Sequence, residues 1–160
     1  MEHTREARDD DVGRIAALAR GALDELSGSK GGPLYLRREG RPEPVERSLT
    51  AAIASDEHHV VVGGIDAATV GYAVVRVEVL RDGARLGVVE DLYVEPEARD
   101  VGVGEAMMDD VVGWCRSQGC IGVDALALPG ERATKNFFER FGLVARAIVV
   151  HRSLEDDPDP

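Results

Sequence analysis

Glu90-Asp91-Leu92-Tyr93-Val94-Glu95-Pro96-Glu97-Ala98-Arg99-Asp100-Val101-Gly102-Val103-Gly104 is the stretch that decides the fold. Its first residues alternate as a strand does, Pro96 ends that strand, and a helix begins near Val103. A strand therefore runs through a short loop into a glycine-bearing helix start. Free N–H groups at a helix N-terminus favour an anion, and glycine lets a phosphate approach the backbone. A dinucleotide-binding turn would want a third glycine where Met107 stands. A P-loop would want Gly-Lys-Ser/Thr, which is absent from the chain. The other reading is an ordinary turn that is rich in glycine, and two glycines alone favour it.

Working outward, residues 86–94 form the strand before this turn. Arg81-Asp82-Gly83 supplies a hairpin, and residues 68–80 and 58–62 are two further strands. Upstream, residues 45–54 read as a helix and residues 27–44, dense in glycine and proline, as a long loop. Val12, Ile15, Ala16, Ala19, Leu23 and Leu26 recur at helical spacing, after a short strand over residues 3–7. Downstream, Met107, Val111 and Cys115 lie on one helix face, and Gly119 stops that helix. Residues 121–128 are a strand, Ala133, Phe137 and Phe141 mark a helix closed by Gly142, and residues 143–152 make a last strand. The order is β-α-α-β-β-β-α-β-α-β, which predicts an α/β mixed sheet with helices on both faces. Residues 1–154 read as a single domain, and residues 155–160 as an acidic tail.

Composition narrows the function. The 160 residues carry 30 Asp and Glu against 19 Lys and Arg, a net charge of −11. That balance argues against nucleic-acid binding, which depends on neutralising phosphates. It also means that an anionic cofactor would need a local site built from backbone N–H groups. Cys115 and Cys120 are too few and too close for a disulfide framework, so a reduced, cytoplasmic chain is expected. The charged start resembles no signal peptide, and no stretch approaches the roughly 20 apolar residues of a membrane span. His58 and His59 diverge on a strand and the cysteines lack partners at zinc spacing, so no metal site is expected.

Arg99-x-x-Gly102-x-Gly104, with Leu92-Tyr93-Val94-x-Pro96 before it, resembles the Arg/Gln-x-x-Gly-x-Gly/Ala signature of the GNAT superfamily of N-acetyltransferases. Asn136-Phe137-Phe138-Glu139-Arg140-Phe141-Gly142-Leu143 is similar to that family's C-terminal signature of an aromatic pair followed by glycine and an apolar residue. The resemblance implies a mixed, mostly antiparallel sheet flanked by helices, acetyl-coenzyme A as acyl donor, and an amine as acceptor. It further implies that the backbone of Arg99, Asp100, Val101, Gly102, Val103 and Gly104, with Glu105, cradles the coenzyme A pyrophosphate. Leu92, Tyr93 and Val94 would pair through main chain with the pantetheine arm, and Asn136 and Phe138 would contact the coenzyme. A homodimer is expected by the same analogy. Asp100 departs from the pattern, since the family often has glycine or a basic residue there.

The chemistry asks for a base and an oxyanion donor. An amine such as lysine's, with a pKa of about 10.4, is protonated at neutral pH and cannot attack a thioester until a nearby carboxylate takes its proton. Glu90 and Asp91 are adjacent on one strand, so at most one faces a cleft unless a bulge intervenes. Resemblance to polyamine acetyltransferases selects Glu90 as the base and the Val94 backbone as oxyanion donor. Phe138 stands where many members carry a tyrosine that protonates the leaving thiolate. Phe138 and Asp100 together motivate the alternative of a coenzyme A-binding module with little transferase activity. A third reading is an interaction protein that keeps only the fold.

Overall fold

The computed structural model describes residues 1–155. Five strands form one sheet in the order β1-β2-β3-β4-β5. They are β1 (Glu2–Glu6), β2 (His58–Ile65), β3 (Ala68–Val79), β4 (Arg85–Val94) and β5 (Cys120–Ala125). The first four are antiparallel in sequence, and β5 runs parallel to β4. Helices α1 (Val12–Ser27), α2 (Gly32–Arg38) and α3 (Val45–Ala54) precede β2. Helix α4 (Val103–Ser117) crosses from β4 to β5, and α5 (Arg132–Arg140) follows. This is the mixed, mostly antiparallel sheet with flanking helices that the sequence predicts.

The valine run of β2 explains why both faces are covered. Val60, Val61 and Val62 are consecutive and all buried, the pattern of a strand enclosed on both sides. Val60 and Val62, with Tyr72 and Val74 of β3, pack against Ile15, Ala16, Leu18 and Ala19 of α1 and Val45 and Leu49 of α3. Val61, Ala73 and Val75 pack on the opposite face against Val103, Met107, Met108 and Val111 of α4. Each valine, leucine, isoleucine or methionine among them contributes about 1.5–3 kcal/mol when fully buried. Glycine on the sheet lets α4 seat its side chains directly against the strand backbone. A β-carbon on Gly63 would stand 2.6 Å from Val103 Cγ1, and one on Gly87 would stand 2.5 Å from Cys115 Sγ. Burial pushes the Cys115 thiol up to about 12, with Cys120 nearby, so Cys115 packs as a thiol and is no nucleophile.

Three expectations need correction. The segment read as one loop over residues 27–44 contains helix α2. Gly31 enters it with φ +78°, and Pro33 sits in its first turn, where its missing N–H costs nothing. Glycine and proline here delimit a helix rather than exclude one. The last strand expected over residues 143–152 does not form. Leu143 still packs on the core, but Val144, Ile148, Val149 and Val150 are each more than 80% exposed, and no sheet ladder among the described residues includes them. Strand β5 likewise ends at Ala125 rather than at residue 128. Of the expected tail, all but Glu155 lies outside the described residues.

Candidate active site

Strand β5 ends well before the end of β4. Their parallel pairing runs from Arg85 opposite Cys120 to Val89 opposite Ala125 and stops there. Strand β4 continues five residues further to Val94 without a partner on that side. Glu95 N–H donates to Val70 O of β3 at 2.8 Å. Alternation along a strand then turns the Val94 and Leu92 amides the other way, into the gap that β5 leaves. The gap forms the floor of a cleft of about 460 Å³ between α1, α2, the end of β4, the start of α4, and α5.

A bulge sets the chemistry on β4. Val74 of β3 pairs with Asp91, and Val75 pairs with Val89, so Glu90 has no opposite number. The extra residue breaks strict alternation and brings the Glu90 and Asp91 carboxylates to one guanidinium. Arg41, from the loop between α2 and α3, donates from Nε and Nη2 to both oxygens of Asp91 at 3.0 and 2.7 Å. Its Nη2 also reaches Glu90 Oε1 at 2.9 Å, and Nη1 donates to Ser48 Oγ at 2.7 Å. The Arg41 side chain is only 6% exposed. Burial works against its charge, but the two carboxylates more than offset that and hold its pKa above the ordinary arginine value. The Tyr72 hydroxyl donates to Asp91 Oδ2 at 2.5 Å. Burial first, then the Asp91 charge, raises the Tyr72 pKa well above normal, so it remains a donor. Burial likewise raises Tyr35, with Asp91 adding to it.

The two carboxylates thus differ in environment. Asp91 accepts from three donors and is 12% exposed. Glu90 is 26% exposed, with Arg76 Nε at 3.1 Å and His58 Nε2 at 3.8 Å from Oε2. The bulge that the sequence reading left as its exception is the observed state.

At the other end of the cleft lies the turn into α4. Asp100 and Gly102 adopt φ +65° and +95°, the left-handed region, and α4 begins at Val103 with no side-chain cap on it among the described residues. The first N–H groups of α4 have no intrahelical acceptor and form an anion-attracting end. Asp100, Gly104 and Glu105 line the cleft there. The Val103 side chain is buried against the sheet, leaving its backbone to the turn. Arg99 is tied down locally. Its Nε donates to Val94 O at 2.8 Å, its Nη2 pairs with Glu25 of α1 at 2.8 Å, and it lies over the Tyr93 ring.

Helix α5 closes the far wall. Phe137 and Phe138 meet edge to face with centroids 5.7 Å apart, and Phe138 is buried. Ser29 Oγ donates to Glu131 Oε1 at 2.6 Å, joining the loop after α1 to the start of α5. Of the residues that the sequence singles out, Glu90, Leu92, Tyr93, Val94, Arg99, Asp100, Gly104, Glu105 and Phe138 line the cleft, whereas Val101, Gly102 and Val103 are not among its lining residues. Asn136 is exposed on α5 and is not among the lining residues, so its expected contact with a coenzyme finds no support in its position. Sequence reasoning missed Arg41 and Tyr72. Arg41 lies among glycines and prolines with no periodicity, and Tyr72 reads as one more core aromatic.

A model of the acetyltransferase (GNAT) family matches residues 28–143. No curated protein matches the sequence. Among solved structures, glucosamine-6-phosphate N-acetyltransferase from Arabidopsis thaliana superposes with a TM-score of 0.68 at 19% identity, over 97% of this chain and 99% of that one. AAC(6')-Iy, in complex with a bisubstrate analog, CoA-S-monomethyl-acetylneamine, gives a TM-score of 0.74 at 15% identity, over 97% and 99%. A predicted acetyltransferase with acetyl-CoA from Clostridium acetobutylicum gives 0.72 at 14%, over 96% and 97%. At such identities the likeness is one of fold.

Proposed function

The chain belongs to the acetyltransferase (GNAT) family, and on that premise we propose that it transfers the acetyl group of acetyl-coenzyme A to a primary amine by direct attack. One observation carries this reading. The unpaired edge of β4 leads straight into the uncapped start of α4, and the bulged carboxylate Glu90 lines the same cleft. The Leu92 and Val94 edge groups suit the amide-rich pantetheine arm, and the turn from Arg99 to Gly104 suits the pyrophosphate.

In the transfer, the amine nitrogen attacks the thioester carbonyl carbon and the Val94 N–H holds the oxyanion. Collapse breaks the carbon–sulfur bond and releases the thiolate of coenzyme A. Glu90 takes the proton that the amine loses, directly or through water. Phe138 is buried and has no proton to give. A thiol's ordinary pKa is about 8.5, so the thiolate can leave and take its proton from solvent. Six carboxylates line the cleft (Glu25, Glu90, Asp91, Asp100, Glu105 and Glu131) against three guanidiniums (Arg41, Arg99 and Arg140). That excess favours a cationic acceptor such as a polyamine or a basic peptide amine.

The test has two readouts. Calorimetry with coenzyme A reports binding, and thiol release from acetyl-coenzyme A across a panel of small amines, polyamines and peptide amines reports transfer. Binding without thiol release for every amine would replace the transferase reading with that of a coenzyme A-binding module. Absence of binding would leave only the fold.

Asp100 offers a sharper check. Its carboxylate is exposed at the turn that would receive the diphosphate, and its φ of +65° is a conformation glycine adopts freely. Asp100→Gly removes both the repulsion and the strain. Its affinity for coenzyme A should rise about three- to tenfold at low salt, with the gain shrinking as salt screens the charge. Equal or weaker binding by calorimetry would contradict a diphosphate at this turn.

A further inference from the structure

Two cavities come within one side-chain contact of each other beside Glu90, and His58 makes that contact. Strand β1 pairs with β2 only as far as Glu6 opposite Val61, and Ala7 N–H adds one bond to Val60 O. His58 and His59 therefore begin β2 beyond the cover of β1. Alternation sends them to opposite faces. His59 meets Asp110 and Trp114 of α4, while His58 faces Ser55, just past α3. At that corner lies a second cavity of about 400 Å³, walled by the end of α3, His58, His59, Trp114 and Gln118. Glu90 is not among its lining residues, and His58 is not among those of the first cleft.

The His58 ring is engaged at both nitrogens. Its Nδ1 lies 2.9 Å from Ser55 Oγ, which also accepts the Glu57 N–H at 3.2 Å. Its Nε2 lies 3.8 Å from Glu90 Oε2. With the ring proton on Nδ1, donated to Ser55, the Nε2 lone pair faces the carboxylate, at a separation that one bridging water or a small rotation closes. Arg41 and Arg76 also reach Glu90, at 2.9 and 3.1 Å. A guanidinium keeps its protons in a protein, so of these three groups only His58 is able to take one. An imidazole ordinarily titrates at about 6.5, close enough to neutral pH both to accept a proton and to release it. The His58 side chain is 28% exposed, and Glu6 and Asp56 share its cavity.

Granted the transferase reading, on which this rests, we propose that His58 carries the proton from Glu90 to solvent through the second cavity. During transfer the coenzyme and the acceptor fill the cleft that Glu90 lines, which obstructs the proton's way back through it. The acceptor's N–H bond breaks, its electron pair stays on nitrogen, and an O–H bond forms on Glu90. That O–H bond then breaks as an N–H bond forms at His58 Nε2. The imidazolium yields a proton to water in its own cavity and returns to the neutral ring, and the Glu90 carboxylate is restored for the next acceptor. His58 thus acts through Glu90, from outside the cleft that holds the substrates.

Thiol release from acetyl-coenzyme A, with the best amine of the panel as acceptor, tests this in wild type, His58→Ala, His58→Gln, Glu90→Gln and Glu90→Gln/His58→Ala. Both His58 variants should lose about 10- to 100-fold in kcat, less than a direct acid–base group contributes. Their KM for acetyl-coenzyme A and their far-ultraviolet circular dichroism should match wild type. Free imidazole should restore His58→Ala through the cavity that the substitution enlarges, with a rate that follows the basicity of the imidazole supplied. It should not restore His58→Gln, whose side chain still fills the place. The double variant should be no slower than Glu90→Gln alone. A His58→Ala that keeps the wild-type kcat overturns the proposal, and so does a loss that no imidazole restores, which would make His58 a support of the strand. A further loss in the double variant overturns it too, because His58 would then act apart from Glu90. A wild type that releases no thiol ends the transferase reading and the relay together, whereas the other outcomes end the relay alone.

Discussion

Arg41→Met is expected to lower the unfolding free energy by about 3–5 kcal/mol, which for a chain of this length is a fall in Tm of roughly 6–20 °C. The Arg41 guanidinium is the only cation that reaches Asp91 in the described structure, and it also reaches Glu90. The side chains of Arg41 and Asp91 are 6% and 12% exposed, so water screens the pair poorly. Methionine keeps much of the stem's volume but strands the Asp91 charge beside the Tyr72 hydroxyl, a neutral donor that cannot balance it. Adding Asp91→Asn to Arg41→Met should therefore recover part of the loss, because the amide has no charge to strand. Arg41→Lys should fall between wild type and Arg41→Met, since an ammonium cannot supply the two-pronged contact to Asp91 and also reach Glu90 and Ser48. Thermal and urea unfolding of the four proteins would decide. A loss under about 1 kcal/mol for Arg41→Met would mean that the cluster does not bind α2 and α3 to the sheet.

That cluster also shows where the sequence stops being informative. The strand, turn and helix from Glu90 to Gly104 were legible because glycine and proline have local backbone consequences that survive any tertiary context. The strand over residues 58–62 was legible for the same reason, since a β-branched run is a local signal, whereas cover on both faces followed from the order of the elements. Arg41 was not legible. Its role depends on a loop of unremarkable composition landing over β4, some 50 residues on, and nothing near it in sequence encodes that landing. The bulge at Glu90 was foreseen only as an exception, because the residue that creates it has no special shape. It arises from pairing, Val75 of β3 taking Val89 in place of Glu90. Helix α2 was hidden by the very residues that frame it, since Gly31 and Pro33 signal a break without saying what lies beyond it. The arm after Gly142 reads as a strand by composition, and composition cannot say whether a sheet edge is in place to pair with it.

Glu90→Gln is expected to reduce kcat by about 10²- to 10⁴-fold at neutral pH, the range that removal of a general base produces, with little change in KM for acetyl-coenzyme A. The choice of Glu90 over Asp91 rests on occupancy. Three donors engage the two oxygens of Asp91, which is bound into the wall of the cleft. Glu90 receives Arg41 on one oxygen and Arg76 on the other, with His58 3.8 Å from the second, and is about twice as exposed at 26%. Glutamine preserves the side chain's length and one acceptor oxygen, so the change removes the proton-accepting charge with little disturbance of shape. The pH dependence separates chemistry from placement. A base is needed because the acceptor arrives as an ammonium ion; as the pH rises toward the amine's own pKa, about 10 for a lysine-like acceptor, more of it arrives already deprotonated. The deficit of Glu90→Gln should therefore shrink steadily from pH 7 to pH 9.5. A deficit that stays constant over that span would make Glu90 a positioning residue, and a variant with the full wild-type rate at pH 7 would remove it from the reaction. Asp91→Asn is the matched control: it should lower Tm through the lost pairing with Arg41 while leaving the pH slope of kcat in place.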